Sequence, residues 1–413
     1  MDSKKLKIFI SAYACEPNLG SEIGVGWNWV LEMSKYFELW VLTRKSNQAT
    51  IETWLAKNPK YNSIHFIYFD LPYYLRFWKK GMRGVRLYYN IWQWCTNGIV
   101  KQTMQNNSIK LFHHLTYGNS LWSVSKYGKK QFFIWGPTGG TETIASDYSK
   151  HYHLKGRILE GLRRLVVNSL KYNLGYRNRC KQANLILCKT ETQKNNIPLK
   201  FRDKALLFTD VAVNTFDIQK YIKKKNHTQV TYLMVGKLDP WRGFDLAIEA
   251  IVKAFKDKKN IRLQIVGDGL DRKRLENLIQ LRGATDYIDL LGKVSMEQYN
   301  QLMQEVDVVL NPCLKEGAVT TAFDSMAMEK PLICTDTGGY TRYFSNDYAI
   351  VLPQQRRASM IMALKNAILK LTNPKLRADL GSNAKAISEC FTWVSRGEEI
   401  YNVITKAYYT NNR

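Results

Sequence analysis

The stretch Val306-Asp307-Val308-Val309-Leu310-Asn311-Pro312-Cys313-Leu314-Lys315-Glu316-Gly317 decides how the rest of the chain reads. An apolar run of strand length, 306–310, ends in a proline-containing loop, and a helical pattern follows from about residue 318 to 328. Then comes Lys330-Pro331-Leu332-Ile333-Cys334, a second short apolar run, closed soon after by Gly338-Gly339. Strand, helix, strand is a βαβ unit, and its first loop lies outside the carboxyl end of a strand, where open parallel sheets bind ligands. Glu316 falls where the loop meets the helix, and Asp324 lies about two turns further on roughly the same side. The helix start at Gly317, Ala318 and Val319 can take a phosphate. One of the two carboxylates can accept hydrogen bonds from a sugar and the other from a ribose diol.

Outward from that unit the same alternation continues in both directions. Short apolar runs stand at 7–12, 39–42, 65–69, 111–115, 132–135 and 185–187, and again at 231–235, 263–266, 288–291, 306–310, 332–334 and 349–351. Amphipathic patterns separate most of them. This predicts an α/β chain of two doubly wound Rossmann-like domains, each a parallel sheet with helices on both faces. The boundary falls near 202–215, which assigns 1–205 to a first domain and 206–390 to a second. A length of 413 residues with 45% hydrophobic side chains suits two cores better than one.

Three more strand ends carry chemistry. Cys15-Glu16-Pro17-Asn18-Leu19-Gly20-Ser21-Glu22-Ile23-Gly24-Val25-Gly26 turns from a strand into a glycine-opened helix that could admit an anion. A tight turn explains it nearly as well. Gly136-Pro137-Thr138-Gly139-Gly140-Thr141 exposes backbone, again with a structural turn as the equal alternative. Val235-Gly236-Lys237-Leu238-Asp239-Pro240-Trp241-Arg242-Gly243 places two cations, Lys237 and Arg242, within reach of a diphosphate. His113 and His114 follow Leu111-Phe112 at a strand end, where alternation sends them to opposite faces.

The seven cysteines form no CxxC and have no histidine at zinc spacing, which predicts free thiols and no structural metal. The lysine-led start of the chain loosely resembles a lipoprotein signal, but its apolar stretch is short and Glu16-Pro17 follows at once. It reads as a first buried strand. No run reaches the 18 apolar residues of a membrane span. The net charge is +26, and its placement is uneven: residues 72–205 hold 24 Lys/Arg against 5 Asp/Glu. Within that stretch, aromatics and cations interleave from Pro72 to Cys95, a pattern suited to a membrane interface. Residues 156–176 form an amphipathic helix pattern with Ile158, Leu162, Leu165, Val166, Leu170 and Leu174 on one stripe. That stripe is expected to pack on the sheet.

Glu316, seven residues, Asp324, then a Pro-Leu-Ile strand and a Gly-Gly turn resemble the signature of the family-four retaining glycosyltransferases. Lys237 and Arg242 fall at the family's two cation positions, Val266-Gly267-Asp268-Gly269 at its next strand end, and Phe391-Thr392-Trp393 at its C-terminal signature. Tyr13-Ala14-Cys15-Glu16-Pro17, Gly20-Ser21-Glu22, His113-His114 and Gly136-Pro137-Thr138-Gly139-Gly140 resemble the branch that builds bacterial surface polysaccharides. The chain departs from the pattern in three places. Asp324 stands for the second glutamate, the two cations exchange order, and Glu316-Gly317-Ala318-Val319 replaces a commoner Glu-Gly-Phe-Gly.

The resemblance implies a GT-B fold, with two domains facing across a cleft and residues 391–413 forming a helix that crosses back to the first. It implies metal-independent transfer, with retention, from a nucleotide-sugar that is a substrate, so no cofactor is expected. Glu316 would hold the donor sugar and Asp324 the ribose. Lys237, Arg242 and the amides near Gly317 would neutralise the leaving diphosphate. Gly20 and Ser21 would leave room for phosphates, with Gly267, Ala318 and Val319 completing the donor side. His114 would stand close to the reacting sugar, and His113, Gly139 and Gly140 on the acceptor side. The expected acceptor is a glycan on polyprenyl diphosphate, met at an anionic surface on the cytoplasmic face of the plasma membrane, for a capsule, exopolysaccharide or O-antigen. A catalytically inactive partner subunit of the same fold is one rival. A nucleic-acid-binding protein is another, disfavoured because the donor constellation would then be idle.

Overall fold

The computed structural model describes residues 5–79, 81, 84–128, 130–213, 229–315 and 319–411. Thirteen strands build two all-parallel sheets. The first holds β1 (Lys7–Ser11), β2 (Glu38–Arg44), β3 (His65–Phe69), β4 (Leu111–His114), β5 (Phe132–Thr138), β6 (Leu185–Cys188) and β7 (Ala205–Leu207), in the order β3-β2-β1-β4-β5-β6-β7. The second holds β8 (Val230–Val235), β9 (Ile261–Val266), β10 (Ile288–Gly292), β11 (Val308–Asn311), β12 (Leu332–Thr335) and β13 (Ala349–Leu352), in the order β10-β9-β8-β11-β12-β13. All twelve expected strands are present. The thirteenth, β7, is three residues long at a sheet edge, too short to leave a pattern.

The strand sequences read as continuous apolar runs because both faces of a parallel sheet are covered. In β5 all seven residues are buried, and in β1 four of five. Helices supply the cover. Phe244–Asp257 buries nine of its residues, from Phe244 through Ala254, in the second core. Met296–Glu305 begins at a Ser295/Gln298 capping box, in which each side chain satisfies the other's backbone amide.

Each sheet reverses its winding once. In the first sheet the chain runs from β1 outward to β3, then returns to place β4 beside β1; in the second it runs from β8 to β10 and returns to place β11 beside β8. The crevices at β1/β4 and β8/β11 are the two topological switch points.

Contacts divide the chain into residues 1–141, 170–210 and 393–413 as one unit, and 142–169 with 211–392 as the other. The last helix, Trp393–Asn411, packs on Ser21–Ser34 of the first unit, with Tyr401 stacked on Tyr36 at 4.9 Å and Ile400 and Ile404 buried. Residues 142–169 correct the expected boundary, because they belong with the second unit and not with 1–205. Tyr148 donates its hydroxyl to the Gln355 carbonyl at 2.6 Å, and Ile144, Tyr148 and Tyr152 enter the second core.

The stripe expected to pack on the sheet does the opposite. The pattern over 156–176 divides into a helix Leu154–Asn168, a 3-10 turn Leu170–Tyr172 and a helix Leu174–Gln182, restarted by the Asn173 side chain, which accepts from the Tyr176 amide. Ile158, Leu162, Leu165, Val166 and Leu174 are exposed, Leu165 at 68%, while Leu170 alone of the six is buried. The face turned inward is the one carrying Glu160 and Val167. Among the described residues no helix is long and apolar enough to cross a membrane.

Candidate functional site

The second switch point gathers the residues that follow β8, β9 and β11. Gly236, at the end of β8, passes so close to Gly267, at the end of β9, that a Cβ on Gly267 would lie 1.8 Å from the Gly236 carbonyl oxygen. Gly267 also has φ +137, so glycine is required there by packing, whatever it offers a donor. Gly243 has φ +76, and a Cβ would meet the Pro312 carbonyl oxygen at 2.1 Å. That contact brings the β8 loop against the β11 loop, and the Leu314 amide seals it by donating to the Trp241 carbonyl at 3.0 Å.

Lys237 points outward, its side chain 62% exposed, with Nζ 3.3 Å from Asp239 Oδ1. A surface pair of this kind contributes little to stability, and its ammonium is open to a phosphate. Arg242 is held differently: its guanidinium lies over the Trp241 ring at 4.6 Å. Lys315, from the β11 loop, lies over the same ring at 5.4 Å and pairs with Glu160 at 2.7 Å. Burial and the nearby Arg163 charge lower the Lys315 pKa, against the pull of Glu160. Trp241 thus organises two cations. The motif alone gives Trp241 no role, because its partner on the β11 loop is far away in sequence.

Glu316, Gly317 and Ala318 lie outside the described residues. Val319 is the residue before the helix Thr320–Ala327, in extended conformation. Asp324 is 2% exposed on that helix, and its Oδ2 accepts from the Tyr299 hydroxyl at 2.7 Å. The partner outside its own helix is therefore, first, a tyrosine of Met296–Glu305. Burial and the Asp324 charge raise the Tyr299 pKa well above its ordinary value, so that hydroxyl stays a donor.

The first switch point is built of buried groups. His113 is fully buried, its Nε2 2.7 Å from the Gly136 carbonyl, its ring edge-on to Trp29. His114 is 2% exposed, its Nε2 3.0 Å from the Tyr89 hydroxyl. The two do face opposite sides. Burial lowers the His113 pKa to about 4; burial, then the Arg179 and His113 charges, lower that of His114 to about 3. Both rings are neutral near pH 7. Gly20 precedes the helix Ser21–Ser34 in extended conformation. Gly24 and Gly26 are there for packing, facing the Leu19 and Ala14 carbonyls. Gly139 spends both backbone groups on the 118–120 turn, donating to Gly118 and accepting from Ser120, and Gly140 packs on the Asn119 side chain. Glu22, in the first turn of the helix Ser21–Ser34, accepts from the Tyr117 amide through Oε1 at 2.6 Å, tying the helix to the loop after β4. Burial raises its pKa, with Lys189 opposing. Among the described residues no three His, Cys, Asp or Glu side chains gather as a metal set.

Residues 215–387 match the family described as glycosyl transferases group 1. An uncharacterised glycosyltransferase of Methanocaldococcus jannaschii is 27% identical over 230 residues, 55% of this chain and 61% of that protein. The alpha-monoglucosyldiacylglycerol synthase of Acholeplasma laidlawii is 31% identical over 101 residues, 24% of this chain and 25% of that one. The chain thus spans less than two thirds of either relative. Among solved structures, Anabaena HepE in complex with UDP and glucose covers 97% of this chain and 100% of its own, with 16% identity and a TM-score of 0.58. Over residues 215–387 the chain resembles the glycosyl transferases group 1 family, and its fold is of the GT-B type.

Proposed function

We propose that this protein transfers a sugar, with retention and without a metal, from a nucleotide-sugar donor to a lipid-linked glycan of a bacterial surface polysaccharide. The observation that carries the reading is the second switch point. There the outward Lys237 and the Trp241-stacked Arg242 stand on the β8 loop, packed against the β11 loop, inside the segment that matches the family. A diphosphate leaving group needs preorganised positive charge, and these side chains supply it without protonation steps. HepE, a fold relative, was solved with UDP, which makes a nucleotide donor the natural expectation here.

In this reading Glu316 holds the donor sugar. Asp324 serves the ribose, and its hydrogen bond to Tyr299 orients it. Val319 and its neighbours face the phosphates. Gly20 and Ser21 leave room for phosphate. His114, neutral and hydrogen-bonded to Tyr89, serves by shape and hydrogen bonding and not by charge. The protein works on the cytoplasmic side of the plasma membrane. The outward apolar arc of Leu154–Asn168, set in a stretch with 24 Lys/Arg against 5 Asp/Glu, favours peripheral binding to anionic lipid.

The test is a melting-temperature screen of the full chain against a panel of nucleotide sugars, followed by turnover with whichever ligand stabilises it. A stabilising donor that is hydrolysed or transferred supports the reading. Nucleotide binding with no turnover under any acceptor condition would favour a non-catalytic partner subunit. No stabilisation by any nucleotide would remove the donor site altogether.

A further inference from the structure

The loops that follow β1, β2 and β3 enclose a pocket of about 450 Å3 in the first unit. None of its residues takes part in the donor reading. Its wall includes Tyr13, Arg44, Asp70, Arg76, Phe77 and Lys79. All come from the carboxyl-end side of the strands, where parallel sheets bind ligands.

The charge of this wall is unbalanced. Arg76 Nη1 pairs with Asp70 Oδ2 at 3.1 Å, and Asp70 is the one carboxylate among the lining residues. Arg44 and Lys79 form no ion pair with a described carboxylate. They are held instead by aromatic rings and a carbonyl: Arg44 lies over Tyr13 at 5.0 Å and donates Nε to the Tyr13 carbonyl at 3.3 Å, and Lys79 lies over Tyr88 at 5.2 Å. Cation–π contact fixes where the charges stand without cancelling them. Tyr13, 1% exposed, stands beside them. The Arg44 and Asp70 charges both act on its hydroxyl, which places it on the side of the pocket they line. At the mouth, Tyr73 and Phe77 are 76% and 62% exposed.

We propose that this pocket binds the phosphate group of an amphiphile, with Arg44 and Lys79 meeting the charge, the Tyr13 hydroxyl donating to it, and Tyr73 and Phe77 receiving the apolar tail. That the amphiphile is the sugar acceptor rests on the glycosyl-transfer reading; the anion site itself does not. A neutral sugar would leave two cations uncompensated, whereas a phosphate ester balances them.

The experiment is calorimetric titration of the full chain with geranyl phosphate, inorganic phosphate and geraniol, in wild type and in Arg44→Ala, Lys79→Ala, Tyr13→Phe and Lys237→Ala. A melting curve accompanies each variant, and a nucleoside diphosphate panel is titrated in parallel. Geranyl phosphate should bind wild type more tightly than inorganic phosphate, and geraniol should not bind. Arg44→Ala and Lys79→Ala should each weaken geranyl phosphate about tenfold, Tyr13→Phe a few-fold, and Lys237→Ala not at all. Nucleotide affinity should be unchanged in the three pocket variants. Wild-type affinity for geranyl phosphate in folded Arg44→Ala and Lys79→Ala would overturn the proposal. So would geraniol or inorganic phosphate binding as tightly as the ester. If geranyl phosphate binds through Arg44 while no nucleotide binds wild type, the donor reading falls and the site stands.

Discussion

The two switch points share a topology and differ in everything placed on it. At β8/β11 the exposed charge is Lys237, which stands in solvent, while Arg242 lies over the Trp241 indole and Lys315 is buried against Glu160. At β1/β4 the polar groups are sealed inside: His113 against the Gly136 carbonyl, His114 against Tyr89, Glu22 against the Tyr117 amide. Charge that must meet a ligand is kept accessible and is cheap for the fold, while charge that joins loops is buried and carries stability. Mutations should therefore separate activity from stability at the second crevice and couple them to pH at the first.

The largest effect is expected at the cations. Lys237→Ala and Arg242→Ala should each cut turnover about 100- to 1,000-fold, the usual loss for one preorganised contact to developing charge. Lys237→Ala should leave the melting temperature nearly unmoved, since its ion pair is exposed. Initial rates beside a melting curve decide it, and wild-type turnover in either folded variant removes that residue from the site.

Asp324 blurs the division, because it is a buried carboxylate in the outward-reaching crevice. Asp324→Ala should cost about 1–3 kcal/mol of stability by stranding the Tyr299 hydroxyl, besides weakening donor binding. Tyr299→Phe should cost about 1 kcal/mol and weaken the donor less. Donor titration with denaturant unfolding of both variants measures the two parts. An unchanged donor affinity in Asp324→Ala would end the ribose assignment.

At the first crevice the readout is acid stability. Both histidines have folded pKa values far below the ordinary 6.5, so below pH 6.5 the unfolded chain takes up protons that the folded chain refuses. Stability is fully present above that point and falls as pH drops from 6.5 towards 4, by about 1–2 kcal/mol per ring at pH 5. Unfolding free energy measured from pH 8 to pH 4.5 should show this slope, and His113→Gln should flatten it. A variant as acid-sensitive as wild type would show that His113 is not a source.

The smallest stability change belongs to the exposed arc. Leu165→Glu should move folding by less than about 0.5 kcal/mol, because the side chain is 68% exposed. Sedimentation with anionic vesicles should nevertheless fall. Undiminished binding would place the membrane contact elsewhere, with the aromatic stretch around Tyr73 and Phe77 the next candidate.

Helix Phe244–Asp257 and helix Leu154–Asn168 explain what could be read in advance. Both repeat apolar residues at helical spacing, and that spacing is visible in the letters. Which side of a helix meets the core is not, since it depends on what lies opposite. The first helix buries its stripe in the second core. The second turns Glu160 inward to Lys315, 155 residues away, and leaves its leucines outside. The same limit hid Trp241 as an organiser of the β8 loop, since its role needs both Lys315 and Arg242 over its ring.

By itself the sequence determined two parallel sheets, the residues at their carboxyl ends and the uneven charge, because strand runs, helical periodicity and composition are local properties of the chain. Tertiary structure alone decided that residues 142–169 pack with the second unit, that both histidines are shut away, and that Asp324 is held by Tyr299. A buried polar group must find a partner wherever packing brings one. That partner is set by how distant segments meet in space, and no spacing along the chain records it.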